Sequence, residues 1–336
     1  KVLSSHAFGK IIEILEKSEC RQEVDCITYK RCGGCDIRHI KYEDTLKIKQ
    51  NSVQSLVNKT LKNKIQVKPT ISMEKPLYYR NKAQYPVGID KNGEPVIGVF
   101  AKRTHEVIPI KECLIQNQQS ERIAKFILEF IKSNKISIYN EQTGKGLFRH
   151  IVIKVAIKTN EIMCILVING NTIPKENELI SSLVQKYPNV KTIVKNINKK
   201  NTNVILGKEN INIYGDGYII DILGDYKFKI SPLSFYQVNP IQAEKLYNIG
   251  VEKAKITKND VVFDLYCGIG TISLYMAKYA KKVYGVEIVE QAIEDANENA
   301  KLNGINNTEF IAGDTEVVLD DLINNRHIVP DVVMVD

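Results

Sequence analysis

Val261-Val262-Phe263-Asp264-Leu265-Tyr266-Cys267-Gly268-Ile269-Gly270-Thr271 is the stretch from which the fold is read. A short apolar run ends in a turn with two glycines, and a helical pattern opens over 272–280. Strand, tight turn and helix follow from that order. Glycines there let the backbone turn sharply and approach a ligand closely. Working outward, a helix is expected over 242–254. Beyond the turn come a strand at 283–287, a helix at 289–303, a strand at 308–312, a helix at 316–323 and a strand at 331–335. Alternation with short loops predicts a parallel α/β sheet, a Rossmann-like domain over 229–336. Its sheet is expected to be incomplete where the chain reaches Asp336.

The turn reads as a cofactor site. Glu287 ends the next strand, 17 residues after Gly270, where an acidic side chain accepts hydrogen bonds from ribose hydroxyls. Asp314 follows the third strand, placed to meet an adenine amino group. A dinucleotide fingerprint wants a third glycine at 273, and Ser273 stands there. Asp264 suits a methionine amino or carboxylate-water network better than a phosphate. S-adenosylmethionine, a nucleotide and a ligand-free tight turn are the three readings.

Upstream, residues 20–228 form a second, mostly β domain. Residues 84–100 read as a hairpin around Asp90-Lys91-Asn92-Gly93. A helix is expected over 123–131, paired strands over 150–158 and 162–169, a helix over 180–185, and strands over 192–196 and 203–206. A helix over 42–63 is expected to pack on the α/β domain. Residues 1–19 alternate weakly through Phe8 to Ile14, like the tail of a preceding domain.

The chain has 336 residues, a net charge of +8 and a pI of about 8.9. That excess is compatible with a polyanionic partner, and no apolar run approaches the roughly 18 residues a membrane span needs. No secretory signal is read at 1–9, so a cytoplasmic protein is expected, with no membrane and no protein partner implied. Seven cysteines in a long chain argue against a disulfide framework. Cys26-x5-Cys32-Gly33-Gly34-Cys35 is a candidate metal site, its glycines freeing the backbone to wrap three thiolates around one centre. Cys113 is the candidate fourth ligand. Four thiolates suit a [4Fe–4S] cluster or tetrahedral zinc, and spacing leaves both open beside plain structural cysteines. Cys164 reads as core, Cys20 as incidental and Cys267 as structural. His39 is placed to shield the cysteine loop. Tyr79-Arg80-Asn81-Lys82 and Phe148-Arg149-His150 pair cations with aromatics. Such pairs suit RNA contact or plain solvated strand edges. Lys199 and Lys200 read as an exposed turn.

Together these residues resemble the RumA/RlmD family of 23S rRNA (uracil-5-)-methyltransferases, relatives of the tRNA 5-methyluridine enzymes. The resemblance covers nearly the whole chain. The cysteine pattern matches the family's [4Fe–4S] ligands, which implies Cys26, Cys32, Cys35 and Cys113, with zinc as the alternative occupant. Ser231-Pro232-Leu233-Ser234-Phe235-Tyr236-Gln237-Val238-Asn239 matches the segment before the methyltransferase fold. There the glutamine contacts the cofactor and the phenylalanine lies near the target base. The implied S-adenosylmethionine contacts are Gln237, Tyr266, Gly268, Gly270, Thr271, Glu287, Asp314 and Asp336. Phe235, Arg80, Lys82 and Arg149 are the candidate RNA contacts, with core packing as the alternative for Phe235.

The implied activity is methylation of uracil C5 in RNA, most simply 23S rRNA. In this family a cysteine thiolate adds to C6, C5 attacks the sulfonium methyl group, and a base removes the C5 proton. The family begins with a TRAM β-barrel, of which residues 1–19 resemble only the tail. It also continues past the aspartate matching Asp336 to the catalytic cysteine and general-base glutamate. A fragment inactive by itself is therefore expected, with no catalytic residue within 1–336. The alternatives are a tRNA uracil-C5 methyltransferase and a non-catalytic iron–sulfur RNA-binding protein with a methyltransferase-like fold.

Overall fold

The computed structural model describes residues 4, 5, 7, 9, 11–61 and 65–336. Two compact units divide the chain, Lys1–Glu74 and Lys75–Asp336. In the first, the cysteine loop precedes helix α1 (Tyr42–Thr60). Gln22 N–H donates to the His39 carbonyl, and Lys41 N–H to that of Cys20, closing the loop's base. The strand expected through Phe8 to Ile14 is not formed at residues 11–14, which are exposed, and Phe8 and Lys10 lie outside the described residues.

The second unit opens with a hairpin, β1 (Lys82–Ile89) and β2 (Pro95–Phe100), paired antiparallel as the Asp90–Gly93 turn signal requires. Strand β3 (Val107–Pro109), helix α2 (Gln118–Ser133), strands β4 (Phe148–Val155) and β5 (Ile162–Ile168), helix α3 (Glu176–Lys186), and strands β6 (Val190–Ile197) and β7 (Glu209–Tyr214) follow. They form one sheet in the order β3-β2-β1-β4-β5-β6-β7. Within this sheet only β5 and β6 pair parallel, because α3 carries the chain across between them. Asn203 to Leu206, expected as a strand, is irregular. The Asn198 amide donates to the carbonyls of Val204 (2.7 Å) and Ile205 (3.0 Å) and curls the segment, so the strand begins at Glu209.

Every residue of β4 and β5 is buried. Ile151, Ile153, Cys164 and Leu166 pack with α2 and α3 through Ile123, Ile127, Leu179 and Leu183. The alternate residues Val152, Met163, Ile165 and Val167 share a second core with the α/β elements. Those elements begin with a hairpin that sequence reading passed over, β8 (Ile219–Leu223) and β9 (Tyr226–Ile230). Helix α4 (Pro240–Ala254), strand β10 (Val261–Leu265), helix α5 (Thr271–Ala277), strand β11 (Lys282–Glu287), helix α6 (Glu290–Leu302), strand β12 (Thr308–Ala312), helix α7 (Thr315–Asp320) and strand β13 (Val332–Val335) complete it. The sheet is parallel, in the order β12-β11-β10-β13. Val262 faces the core built with α4, α5 and α6, while Phe263 and Leu265 face α7 through Val318. The sheet is thus covered on both faces, the doubly wound arrangement. Among the described residues no helix is long and apolar enough to cross a membrane.

Helix α6 docks the β9 edge with two asparagines one turn apart. Asn299 accepts from Lys229 N–H at 2.7 Å and donates to the Ile269 carbonyl at 3.0 Å. Asn303 accepts from Lys227 N–H and donates to the Lys227 carbonyl. Asn299 is fully buried, so Asn299→Ala orphans a backbone donor and an acceptor at about 1–3 kcal/mol each. Urea unfolding of Asn299→Ala is expected to show a midpoint lowered accordingly at unchanged slope, with a smaller loss for the less buried Asn303→Ala.

Candidate cofactor pocket and cysteine loop

Parallel register aligns the carboxyl ends of the strands, with Leu265 opposite Val286 and Val335, and Glu287 opposite Ala312. Beyond β10 the chain turns through Tyr266, Gly268 and Gly270, all at positive φ (65°, 55° and 79°). Gly270 has no room for a side chain, because an added Cβ would stand 2.9 Å from Phe310 Cζ and 3.3 Å from Ala296 Cβ. An added Cβ on Gly268 would meet nothing within 4 Å, so this glycine faces open space. The first glycine therefore faces the open side of the turn, and the second also lets α6 and Phe310 of β12 pack close against it.

A pocket of about 260 Å³ lies against this turn. Phe235, Gln237, Tyr266, Gly268, Thr271 and Asp336 line it, all of them sequence-selected candidates. Tyr236, Tyr247, Asp264, Cys267, Ile269 and Ile272 complete the lining. Tyr247 was not selected from sequence. Its spacing from Ala243 and Val251 marks only the buried face of α4, whereas in the fold its hydroxyl lies 3.3 Å from Thr271 Oγ1.

Asp264 was noticed but not counted among the cofactor contacts. It is 1% exposed, and burial raises its carboxyl to about 7, the Ser273 hydrogen bond opposing this and Asp336 adding to it. The Ser273 hydroxyl donates to Asp264, which explains why a serine occupies the place a dinucleotide fingerprint gives to glycine. Burial also pushes the Cys267 thiol far up, as expected of a structural cysteine rather than a nucleophile.

Glu287 accepts from Gly268 N–H (3.2 Å) and Val289 N–H (3.0 Å), so the backbone fixes its carboxylate at the glycine turn. Asp314 caps α7 by accepting from Glu316 N–H at 3.0 Å. Gln237 donates to Asp336 at 3.4 Å across the pocket. Phe235 is 66% exposed at the rim, which excludes core packing.

The basic candidates divide. Lys82 pairs across the strands with Lys154, and burial lowers its pKa, Arg80 adding to the shift. Arg80 is half-buried, and its Nε has no partner. Arg149, expected at the RNA surface, is 3% exposed. Its guanidinium donates to the carbonyls of Asn198 and Lys200 and stacks 4.2 Å from the Tyr139 ring centre. It is a strut for the 198–207 segment, at the point where the register of β4 on β5 shifts between Phe148 and His150.

Within the first unit, Cys26, Cys32 and Cys35 are half-buried in one loop. Gly34 N–H donates to Cys32 Sγ at 3.2 Å, and Cys26 Sγ lies 3.4 Å from Thr28 Oγ1. Arg38 holds Asp25 through two 2.7 Å hydrogen bonds. Its guanidinium pKa is raised first by Asp25 and then by the charges of Cys35 and Cys26. Cys113 lies in the second unit, its N–H on Glu121 at 3.0 Å. Among the described residues no three His, Cys, Asp or Glu side chains gather as a metal-holding group.

A family model described as "Methyltransferase domain" matches residues 256–329. The chain is 47% identical over 339 aligned positions to an uncharacterized RNA methyltransferase of Clostridium acetobutylicum, covering all of this chain and 73% of the relative. It is 44% identical to another from Staphylococcus aureus, covering 100% and 74%. Among solved structures it is similar to the tRNA (uracil-54, C5)-methyltransferase of Pyrococcus abyssi in complex with S-adenosyl-L-homocysteine. That match has a TM-score of 0.69 at 23% identity, over 90% of this chain and 68% of that one, and it establishes a shared fold. With relatives this similar across its whole length, the chain belongs to the RNA methyltransferase family.

Proposed function

We propose that this protein uses S-adenosylmethionine to methylate uracil C5 in RNA, with 23S rRNA as the substrate. One observation carries the reading. A glycine turn, a buried carboxylate and the exposed Phe235 ring meet in a single pocket at the carboxyl ends of the strands. When bound, S-adenosylmethionine supplies an electrophilic sulfonium methyl group. Gly268 leaves room for its backbone approach, and Asp264 offers a buried acceptor for the methionine ammonium. Glu287, already oriented by two N–H groups, keeps lone pairs for the ribose hydroxyls. Gln237, Tyr266, Gly270, Thr271, Asp314 and Asp336 complete the cofactor contacts. Phe235 walls a uracil taken out of its stack, and Arg80 and Lys82 meet the phosphates.

The cysteine loop supports rRNA over tRNA through its resemblance to the rRNA enzymes. We assign Cys26, Cys32 and Cys35 of the first unit to a [4Fe–4S] cluster on the strength of that resemblance, with zinc as the less favoured occupant. An rRNA substrate places the protein in the cytoplasm. A tRNA reading has one observation behind it, the fold shared with the archaeal tRNA enzyme.

Disrupting the gene should remove 5-methyluridine from digests of 23S rRNA analysed by mass spectrometry and leave tRNA digests unchanged. Loss from tRNA alone would replace the rRNA reading, and no loss from either would end the uracil-C5 assignment.

By calorimetry, Glu287→Ala should weaken S-adenosylhomocysteine binding by about 1.5–3 kcal/mol per charge-assisted hydrogen bond lost. The raised pKa of Asp264 adds a pH dependence. Between about pH 4 and 7 the folded protein holds a proton that the unfolded chain has released, so apo stability falls as pH rises through that window. The ligand ammonium favours the ionised carboxylate. Affinity should therefore rise from pH 6 to 7.5, by at most about tenfold per pH unit, and Asp264→Asn should flatten the rise.

Protein purified without oxygen should be brown, with about four irons per chain. Cys35→Ser should lose the colour, whereas Cys164→Ser should keep it. Colourless protein holding one zinc would exclude the cluster.

A further inference from the structure

Residues 231–239 connect β9 to α4 and carry both Phe235 and Gln237 to the pocket. The segment has no regular secondary structure before α4, so something other than a backbone ladder must hold it. Its first half is gripped from both sides. From the seven-stranded sheet, Lys154 of β4 donates to the Ser231 carbonyl at 2.8 Å and the Ser234 carbonyl at 2.9 Å. From α6, the Asp295 carboxylate accepts from the hydroxyls of Ser231 (2.5 Å) and Ser234 (2.6 Å). Ser231 N–H closes the loop on Ser234 Oγ at 2.9 Å. The second half is tied by Asn81, whose side-chain amide donates to the Gln237 carbonyl and whose N–H donates to that of Val238, each at 3.0 Å.

Lys154 is 5% exposed and Asp295 2%, so these are buried polar groups with nearly complete partners, the arrangement that fixes one geometry. Phe235 stands between the two tied halves and is left exposed. We infer that Lys154 and Asp295 are positioning residues of the methyl-transfer site, clamping residues 231–234 so that Phe235 and Gln237 are held ready at the pocket. The inference rests on the reading of that pocket as the S-adenosylmethionine site. Burial lowers the Lys154 ammonium to about 7, Lys82 adding to the shift and Asp295 opposing it. The clamp survives either charge state, because even a neutral amine keeps two N–H groups for its two carbonyls.

The test compares Lys154→Met, which keeps the stem and loses the donors, with Lys154→Gln, which restores an N–H donor. Both are assayed well below their melting temperatures. Backbone hydrogen exchange is read over residues 231–238, and S-adenosylhomocysteine affinity by calorimetry. Lys154→Met should speed exchange in that segment and weaken affinity about tenfold or more, with Lys154→Gln recovering most of both. A purely structural lysine would lower the melting temperature while leaving the affinity and exchange of the folded protein unchanged, and that result would overturn the proposal. Should Lys154→Met not fold, Asp295→Asn carries the same comparison from the other side. If the unmodified protein binds no S-adenosylhomocysteine, the cofactor reading fails. The exchange of residues 231–238 then still decides whether the clamp exists.

Discussion

Burial of β4 and β5 on both faces is the constraint from which the rest of the second unit follows. A strand with every residue buried must have apolar partners above and below, so the seven-stranded sheet needs two covers. Helices α2 and α3 supply one, and the α/β elements supply the other through the shared core of Met163, Ile165 and Val167. The α/β sheet is therefore held against a second sheet, and the hairpin β8–β9 and Tyr236 after it lie in that common core. Sheet and cofactor pocket are parts of one packed body, which is why a lysine on β4 can set the position of a loop at the pocket.

Polar groups then divide the buried interior into tasks. Asn299 on α6 and Asn303 at its C-cap stand in for a neighbouring strand along β9, and Asn299 also reaches the glycine turn through the Ile269 carbonyl. Asp295, one turn earlier on the same helix, holds the two serines. One helix thus holds the hairpin and also the turn and the loop that line the pocket. Asp264 is different in kind. It has one side-chain partner, Ser273, and its burial keeps it near the threshold of ionisation.

The α/β domain was legible because its signals are local. The run from Val261 to Thr271, the glycines at 268 and 270 and the acid at 287 each act within a few residues of themselves, and the register of a parallel sheet does the rest. The hairpin β8–β9 was missed because Gly224-Asp225 between short mixed runs is a weak signal, and its apolar residues pay off only against the distant α6. Asn203 to Leu206 misled for the opposite reason, since its apolar pair looks strand-like until Asn198 captures its carbonyls.

The amino-acid sequence by itself determined the element order of the α/β domain, the glycine turn, the residues at its strand ends and the three-cysteine loop, because each is written in neighbouring residues. Tertiary structure alone decided which cations face outward. Arg149 and Lys154 stand on either side of the apolar run Ile151-Val152-Ile153, as solvated basic residues flank many strands, yet both are buried. A strand's period places a side chain on one face or the other but does not say what covers that face. Only the packing of a second layer turns an ordinary basic residue into a strut for one loop and a clamp for another.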